Sequence, residues 1–279
     1  MSYTQLILIL LVLIFSALMF LQNAKNQRSG YIVCLVITII LTFVAVFKPN
    51  TMADYGNYVD IVRYNEWGRY EPATFCINTI SHLFHNPFPV FIFLYAILGI
   101  GIKIKAIKEL SPLFWGSIIV YLSHYYILLD LIQIRAGVAA AFSLFLIKYS
   151  TERNGKCFLL CYIAAVLFHY SAIFGIFIWF LSSSRGNKFL YFGIMLISYV
   201  IGTKYSFLGQ TVSHYIMRHS DNYAFIDNNE EFLLQIKALA ISIAFWLFSD
   251  KLKSKSPVSF VALKVYTIAI CVSWLFSVL

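Results

Sequence analysis

Residues 54–72 read DYGNYVDIVRYNEWGRYEP, and this stretch holds most of the chemistry-bearing side chains of an otherwise apolar chain. Asp54, Asp60, Arg63, Glu66, Arg69 and Glu71 alternate with Tyr55, Tyr58, Tyr64, Trp67 and Tyr70. Rings beside carboxylates and arginines suit sugars, since a ring face covers C–H groups while the charged groups take hydroxyls. The rings alone also suit a belt at the membrane–water boundary, where amphipathic side chains settle. Two shorter stretches add to it. LDLIQIRAGVAAAF, residues 129–142, places Asp130, Gln133 and Arg135 in an apolar run, and LFHYSAIF, residues 167–174, does the same with His169. Ionisable groups inside such runs are costly and mark functional candidates.

The elements that must carry these residues follow from composition. The chain has 279 residues, is 61% hydrophobic and only 12% charged, with a mean hydropathy of +0.79. No soluble fold hides that much apolar surface. Apolar runs at 3–21, 31–47, 88–102, 113–129, 131–147, 157–181, 189–203, 232–249 and 257–279 approach the roughly 20 residues a spanning helix needs. Barrel strands would be half as long and alternate with period two. The expected fold is an all-α integral membrane protein in one transmembrane domain over 1–279. It is a polytopic bundle of about eight spanning helices with a re-entrant hairpin and an outer loop carrying a short interfacial helix. The run at 3–21 lacks a basic leader and a cleavage site, so it reads as a retained helix.

Lysines and arginines set the orientation. Clusters at Lys25/Arg28, Lys103/Lys105/Lys108, Lys148/Arg153/Lys156, Arg185/Lys188 and Lys251/Lys253/Lys255 all fall inside if the N-terminus lies outside. With Lys264 that side holds 14 basic and 3 acidic residues against 7 basic and 9 acidic outside, which accounts for the net charge of +9 without a nucleic-acid partner. Outer loop 1 then spans about 48–87 and outer loop 2 about 204–231. The run at 157–181 must enter and leave on one side, with His169 near its tip.

Each candidate has a plainer reading. Asp130 and Arg135 could snorkel at a helix end as a pair, although five residues on one helix diverge by about 140°, so they meet only where the chain breaks near Asp130. Small residues Ala136, Gly137, Ala139, Ala140 and Ala141 would let neighbouring helices close in and hold Arg135 in a packed wall. A lone His in an apolar run is usually a packed core residue. Glu71-Pro72 opens a helix, because Pro suits the first turn, and the apolar stretch 73–84 lies in the interface or on the bundle rim. Five scattered cysteines support neither a disulfide framework nor a zinc site, and His82, His85 and His124 lack metal-ligand spacing. No metal or other cofactor motif is found.

Taken together, Asp54-Tyr55-Gly56-Asn57-Tyr58, Glu71-Pro72, Gln133-Ile134-Arg135 and Phe168-His169-Tyr170-Ser171, in that order, resemble the EpsG-like family of bacterial polysaccharide polymerases, relatives of Wzy-type O-antigen polymerases. The resemblance covers about residues 50–175. It implies polymerisation of undecaprenyl-pyrophosphate-linked oligosaccharide repeat units at the periplasmic face of the inner membrane, with lipid pyrophosphate leaving. It also implies the residue roles. Arg135 would clamp the leaving pyrophosphate with His169 assisting, and Asp54 or Glu71 would accept the proton of the attacking hydroxyl. Tyr55, Asn57 and Tyr58 would position sugars, Arg63 and Arg69 would hold the second carrier's phosphates, and Asp130 and Gln133 would line the substrate site. Membrane lipid, a chain-length regulator and a flippase of the same pathway are the implied partners. A lipid-linked oligosaccharide flippase is the alternative, and it predicts a polar route to both faces. A membrane O-acetyltransferase ranks third, and it predicts an inner-face cofactor site.

Overall fold

The computed structural model describes residues 31–182, 187–204 and 239–276. The expected first helix at 3–21, Lys25, Arg28, Arg185 and outer loop 2 beyond residue 204 lie outside the described residues. No strand occurs among the described residues. They fall into two compact units, within Met1–Ile176 and Phe177–Leu279.

The first unit is built from α1 (Tyr31–Val46), α2 (Tyr55–Arg63), α3 (Pro72–Ser81), α4 (Pro87–Leu110), α5 (Phe114–Val120), α6 (Ile134–Thr151) and α7 (Gly155–Phe168). Proline opens α3 and α4, where its missing N–H has no helical partner to lose. Among the described residues α4 alone is both long and apolar enough to cross a membrane; α1 and α7 are shorter apolar helices. Their outer faces are apolar too: Ile32, Leu35, Ile39 and Phe43 on α1, and Leu159, Leu160 and Ile163 on α7, are exposed. Water would penalise that surface, whereas a bilayer accepts it.

Two packed clusters hold this unit together. Ile37, Leu41 and Ala45 of α1 meet Ala96, Ile100 and Ile104 of α4 and Ile118, Leu122 and Tyr126 of the α5 segment. Above that, Tyr58 and Ile61 of α2, Ile77 of α3, Phe91 and Tyr95 of α4 and Ile134 and Val138 of α6 form the second cluster. Helices α2 and α3, expected in an outer loop, are therefore part of the core. Asn78 of α3 reinforces this by donating to the Ile61 carbonyl at 2.8 Å.

Between α5 and α6 the chain is not regular. After Val120 it continues as π-helical turns at Tyr121–Tyr125 and Ile127–Ile132, then breaks at Gln133 (φ −93°, ψ 59°). The break thus falls at Gln133, three residues beyond Asp130. Its backbone groups are satisfied by distant side chains. Lys48 Nζ donates to the Leu131 carbonyl at 2.7 Å, and the Tyr58 hydroxyl accepts the Ile134 N–H at 3.1 Å. Buried peptide groups left unpaired here would each cost about 1–3 kcal/mol.

Gly137 explains how the broken segment fits. A Cβ at that position would lie 1.8 Å from the Leu129 carbonyl oxygen, so α6 approaches the preceding backbone where no side chain has room. The close approach expected from the small residues of α6 is realised here, within one chain reversal.

The second reversal follows α7. His169 is extended (φ −158°, ψ 122°), and a 3₁₀ segment, Tyr170–Ile176, doubles back so that Tyr162 donates to the Ile173 carbonyl at 3.1 Å. The second unit contains α8 (Phe177–Leu181), α9 (Lys188–Lys204), a helical stretch at 239–247, α10 (Ser249–Lys255) and α11 (Pro257–Phe276). Its core stacks Tyr191 on Trp246 and packs Met195, Phe260 and Leu263 around them, with the Trp246 indole donating to Thr267 Oγ1 at 2.8 Å.

Gly137→Ala is expected to cost about 1–3 kcal/mol by overpacking, visible as a lower melting temperature of the detergent-purified protein. Gly193→Ala, with nothing within 4 Å of the added carbon, should leave the melt unchanged or raise it; equal melting of the two variants would contradict the packing described.

Candidate functional site

Glu71 lies immediately before Pro72, and the proline ring drives it into the extended conformation seen (φ −59°, ψ 147°). Its carboxylate thereby turns into the bundle and is 4% exposed. Arg135 Nη1, on the first turn of α6, donates to Oε2 at 2.6 Å. His169 Nδ1, at the reversal after α7, lies 2.9 Å from Oε1. The Thr74 hydroxyl adds a longer contact to Oε2 at 3.4 Å and is itself 2.7 Å from the Tyr95 hydroxyl. One carboxylate thus joins an arginine 64 and a histidine 98 residues away in the chain.

The electrostatics follow from this arrangement. Burial by itself pushes the Glu71 carboxyl up, but the His169 hydrogen bond and the Arg135 charge more than offset it and hold the group at about 2. Glu71 is therefore ionised and accepts hydrogen bonds only, so His169 Nδ1 carries the proton it shares with Oε1. The His169 side chain is 33% exposed. Arg135 also lies over the Tyr70 ring, 5.7 Å from its centre, and its Nε is buried with no partner.

The remaining expected residues are placed as follows. Asp54 does not join this carboxylate. It precedes α2 in the left-handed conformation (φ 63°), which Asp tolerates better than most residues, and accepts from Asn57 Nδ2 at 3.0 Å. Tyr55 packs on Phe88 with ring centres 5.0 Å apart. Tyr58 is 2% exposed and committed to the break at Ile134; burial pushes its phenol up to about 12, so it stays protonated. Arg63 is exposed at the end of α2, and Arg69 pairs with Glu66 at 3.3 Å between the rings of Tyr64 and Tyr70. Gln133 contributes the break itself.

Asp130 requires a correction. It does not pair with Arg135, whose Nη1 is engaged by Glu71. Asp130 instead accepts from Lys103 Nζ at 2.7 Å and from the Tyr121 hydroxyl at 2.6 Å, inside the bundle. Lys103, counted with the inner-side lysines, is accordingly a buried residue of α4. Lys48 was not singled out from the sequence either, since a lysine ending an apolar run has no mark separating it from a snorkelling one. Burial lowers its ammonium to about 8 against the opposing pull of Asp54, and the group sits 5.0 Å from the centre of the Tyr58 ring. Among the described residues no group of three His, Cys, Asp or Glu side chains is arranged to hold a metal ion.

Because the folded state lowers the Glu71 carboxyl, the stabilisation it gives is complete above its ordinary value of 4.5 and fades as pH falls toward 2. Its size is about 3 kcal/mol. Melting curves of wild type and Glu71→Gln should therefore differ most above pH 4.5 and converge below it; a gap independent of pH would remove the ion-pair assignment.

The geometry joins Glu71, Arg135 and His169, one residue from each of three of the four stretches that carry the resemblance noted in the sequence. The EpsG family profile matches residues 31–279, nearly the whole chain. No curated protein and no solved structure matches it. With its apolar helices and with Arg135 and His169 gathered on the buried Glu71 carboxylate, the chain belongs to the EpsG family, membrane polymerases of polysaccharide biosynthesis.

Proposed function

We propose that this chain joins oligosaccharide repeat units carried on undecaprenyl pyrophosphate, working at the periplasmic face of the inner membrane. A hydroxyl of the acceptor glycan attacks the anomeric carbon of the donor. The bond from that carbon to the pyrophosphate oxygen breaks, and its electron pair leaves with the lipid pyrophosphate. The observation that carries this reading is Arg135, a guanidinium 26% exposed and fixed through Nη1 by the buried Glu71 carboxylate. Its terminal nitrogens can take phosphate oxygens, and an arginine holds such groups through more than one N–H.

The attacking hydroxyl must lose its proton. Glu71, held at about 2, is a weak acceptor, and its two oxygens are already occupied. His169 is the better base, because a neutral ring donating from Nδ1 to Glu71 has its lone pair on Nε2. Glu71 then orients both the clamp and the base. Asp54, at the start of α2, lies outside this set.

Glycan support comes from the outer segment. Trp67 is 70% exposed, yet its edge is fixed on Phe75 with centres 4.9 Å apart. Next to it Tyr64, Arg69, Tyr70 and Arg135 alternate ring and guanidinium at 5.6–5.7 Å. This run leads from the surface to the clamp and is suited to sugar rings.

Arg135→Ala should lower polymerisation by about 10²-fold or more, as loss of a donor to a developing anion does elsewhere, leaving surface glycan at a single repeat on a gel. Normal ladders would reject the clamp, and total loss of surface repeats with units trapped inside would indicate transport instead. Trp67→Ala should keep the first linkage and shorten the ladder; an unchanged length distribution would reject the glycan surface.

A further inference from the structure

A charged pair sits in the bundle interior, away from the Glu71 carboxylate. Lys103 of α4 and Asp130 of the π-helical segment are each 3% exposed, 2.7 Å apart, and Asp130 takes its second hydrogen bond from Tyr121. The backbone is shaped around them. A Cβ at Gly99 would lie 3.0 Å from Asp130 Oδ1, and one at Gly137 would lie 3.4 Å from Lys103 Nζ. Burying two charges costs several kcal/mol each, and an apolar pair of equal volume is often as stable or more so. Stability alone is therefore a poor reason for this pair.

Its location supplies a better one. Asp130 lies within the π-helical turns that end at Gln133, and Arg135 is the second residue after that break. π turns and α turns of the same sequence differ by one residue in register, and one residue of helix is about 100° of rotation and 1.5 Å of rise. Relaxing the segment to regular α-helix would move the break and carry Arg135 off Glu71. Tyr121 and Asp130 span the π-helical stretch from its first residue to near its last, and their hydrogen bond closes it on itself. Lys103 ties the closed segment to α4, whose Tyr95 supports Thr74 beneath Glu71. From the other side Lys48 and Tyr58 take up the Leu131 carbonyl and the Ile134 N–H.

We propose that Lys103, Asp130 and Tyr121 are positioning residues that select the π register and so set Arg135 in place for the leaving pyrophosphate. The assignment rests on the polymerase reading above. They touch no substrate; they act through the backbone between Asp130 and Arg135.

The test uses full-length protein in liposomes with carrier-linked repeat units, measuring turnover per folded molecule together with melting temperature. Lys103→Met or Asp130→Leu alone leaves an unpaired buried charge and should lower both. The double variant Lys103→Met/Asp130→Leu should recover the wild-type melt but keep kcat at least about tenfold down with donor KM within about twofold, since the register is no longer selected. Recovery of both melt and kcat in the double variant would overturn the proposal and leave the pair a folding element only. If the double variant does not accumulate, Tyr121→Phe decides, because it removes one O–H and no charge. A wild-type melt with kcat several-fold lower supports the assignment, and full kcat overturns it. Arg135→Ala run in parallel separates the two readings: an active Arg135→Ala sinks the polymerase clamp itself, whereas an inactive one beside a fully active double variant sinks only the positioning role.

Discussion

The Glu71 carboxylate is the constraint around which the first unit is arranged. A buried carboxylate is tolerated only when its charge is matched and its oxygens are satisfied. Glu71 meets both conditions with groups from α6, from the reversal after α7 and from its own helix. Each supplier must be brought in on an irregular piece of backbone: the extended residue before Pro72, the break at Gln133 and the extended His169. The cost of burying that charge alone therefore couples three irregular pieces of backbone that share no sequence neighbourhood.

Irregular backbone carries its own demand where water is scarce, because every freed peptide group needs a partner. The break after Ile132 meets it with Lys48 and Tyr58, both from the segment between α1 and α3. This is why the segment between α1 and α3 folds into the core. Its ring-and-charge composition serves three ends: Tyr58 and Lys48 complete the break, Glu71 builds the site, and Tyr64, Trp67 and Arg69 remain at the surface. The rings and charges of this loop are therefore divided between the core and the surface.

Several features were legible beforehand because they are local. Pro72 announces the start of α3 and the backbone of Glu71. The run at 157–181 needs a reversal, and the chain turns back at His169. Small residues after Arg135 announce a close approach, and Gly137 makes one. The Asp130–Lys103 pair was hidden because Lys103 lies near the end of an apolar run and reads as an orientation signal. Tyr58 was indistinguishable from Tyr55, since nothing in DYGNY states which ring faces the core.

What the amino-acid sequence determined alone is the class of solvent and the repeating elements: a helical chain built for a bilayer, with charge concentrated at a few ionisable positions. Those properties are sums over neighbours, so composition and periodicity carry them. Which acid meets which base was decided only by the tertiary structure. Carboxylates and ammonium or guanidinium groups attract one another without regard to chain position, and many pairings are equally compatible with the residue order. The register of α4 against the π-helical segment, set by Gly99 and Gly137, and the depth to which α2 and α3 sink selected Glu71 for Arg135 and Lys103 for Asp130.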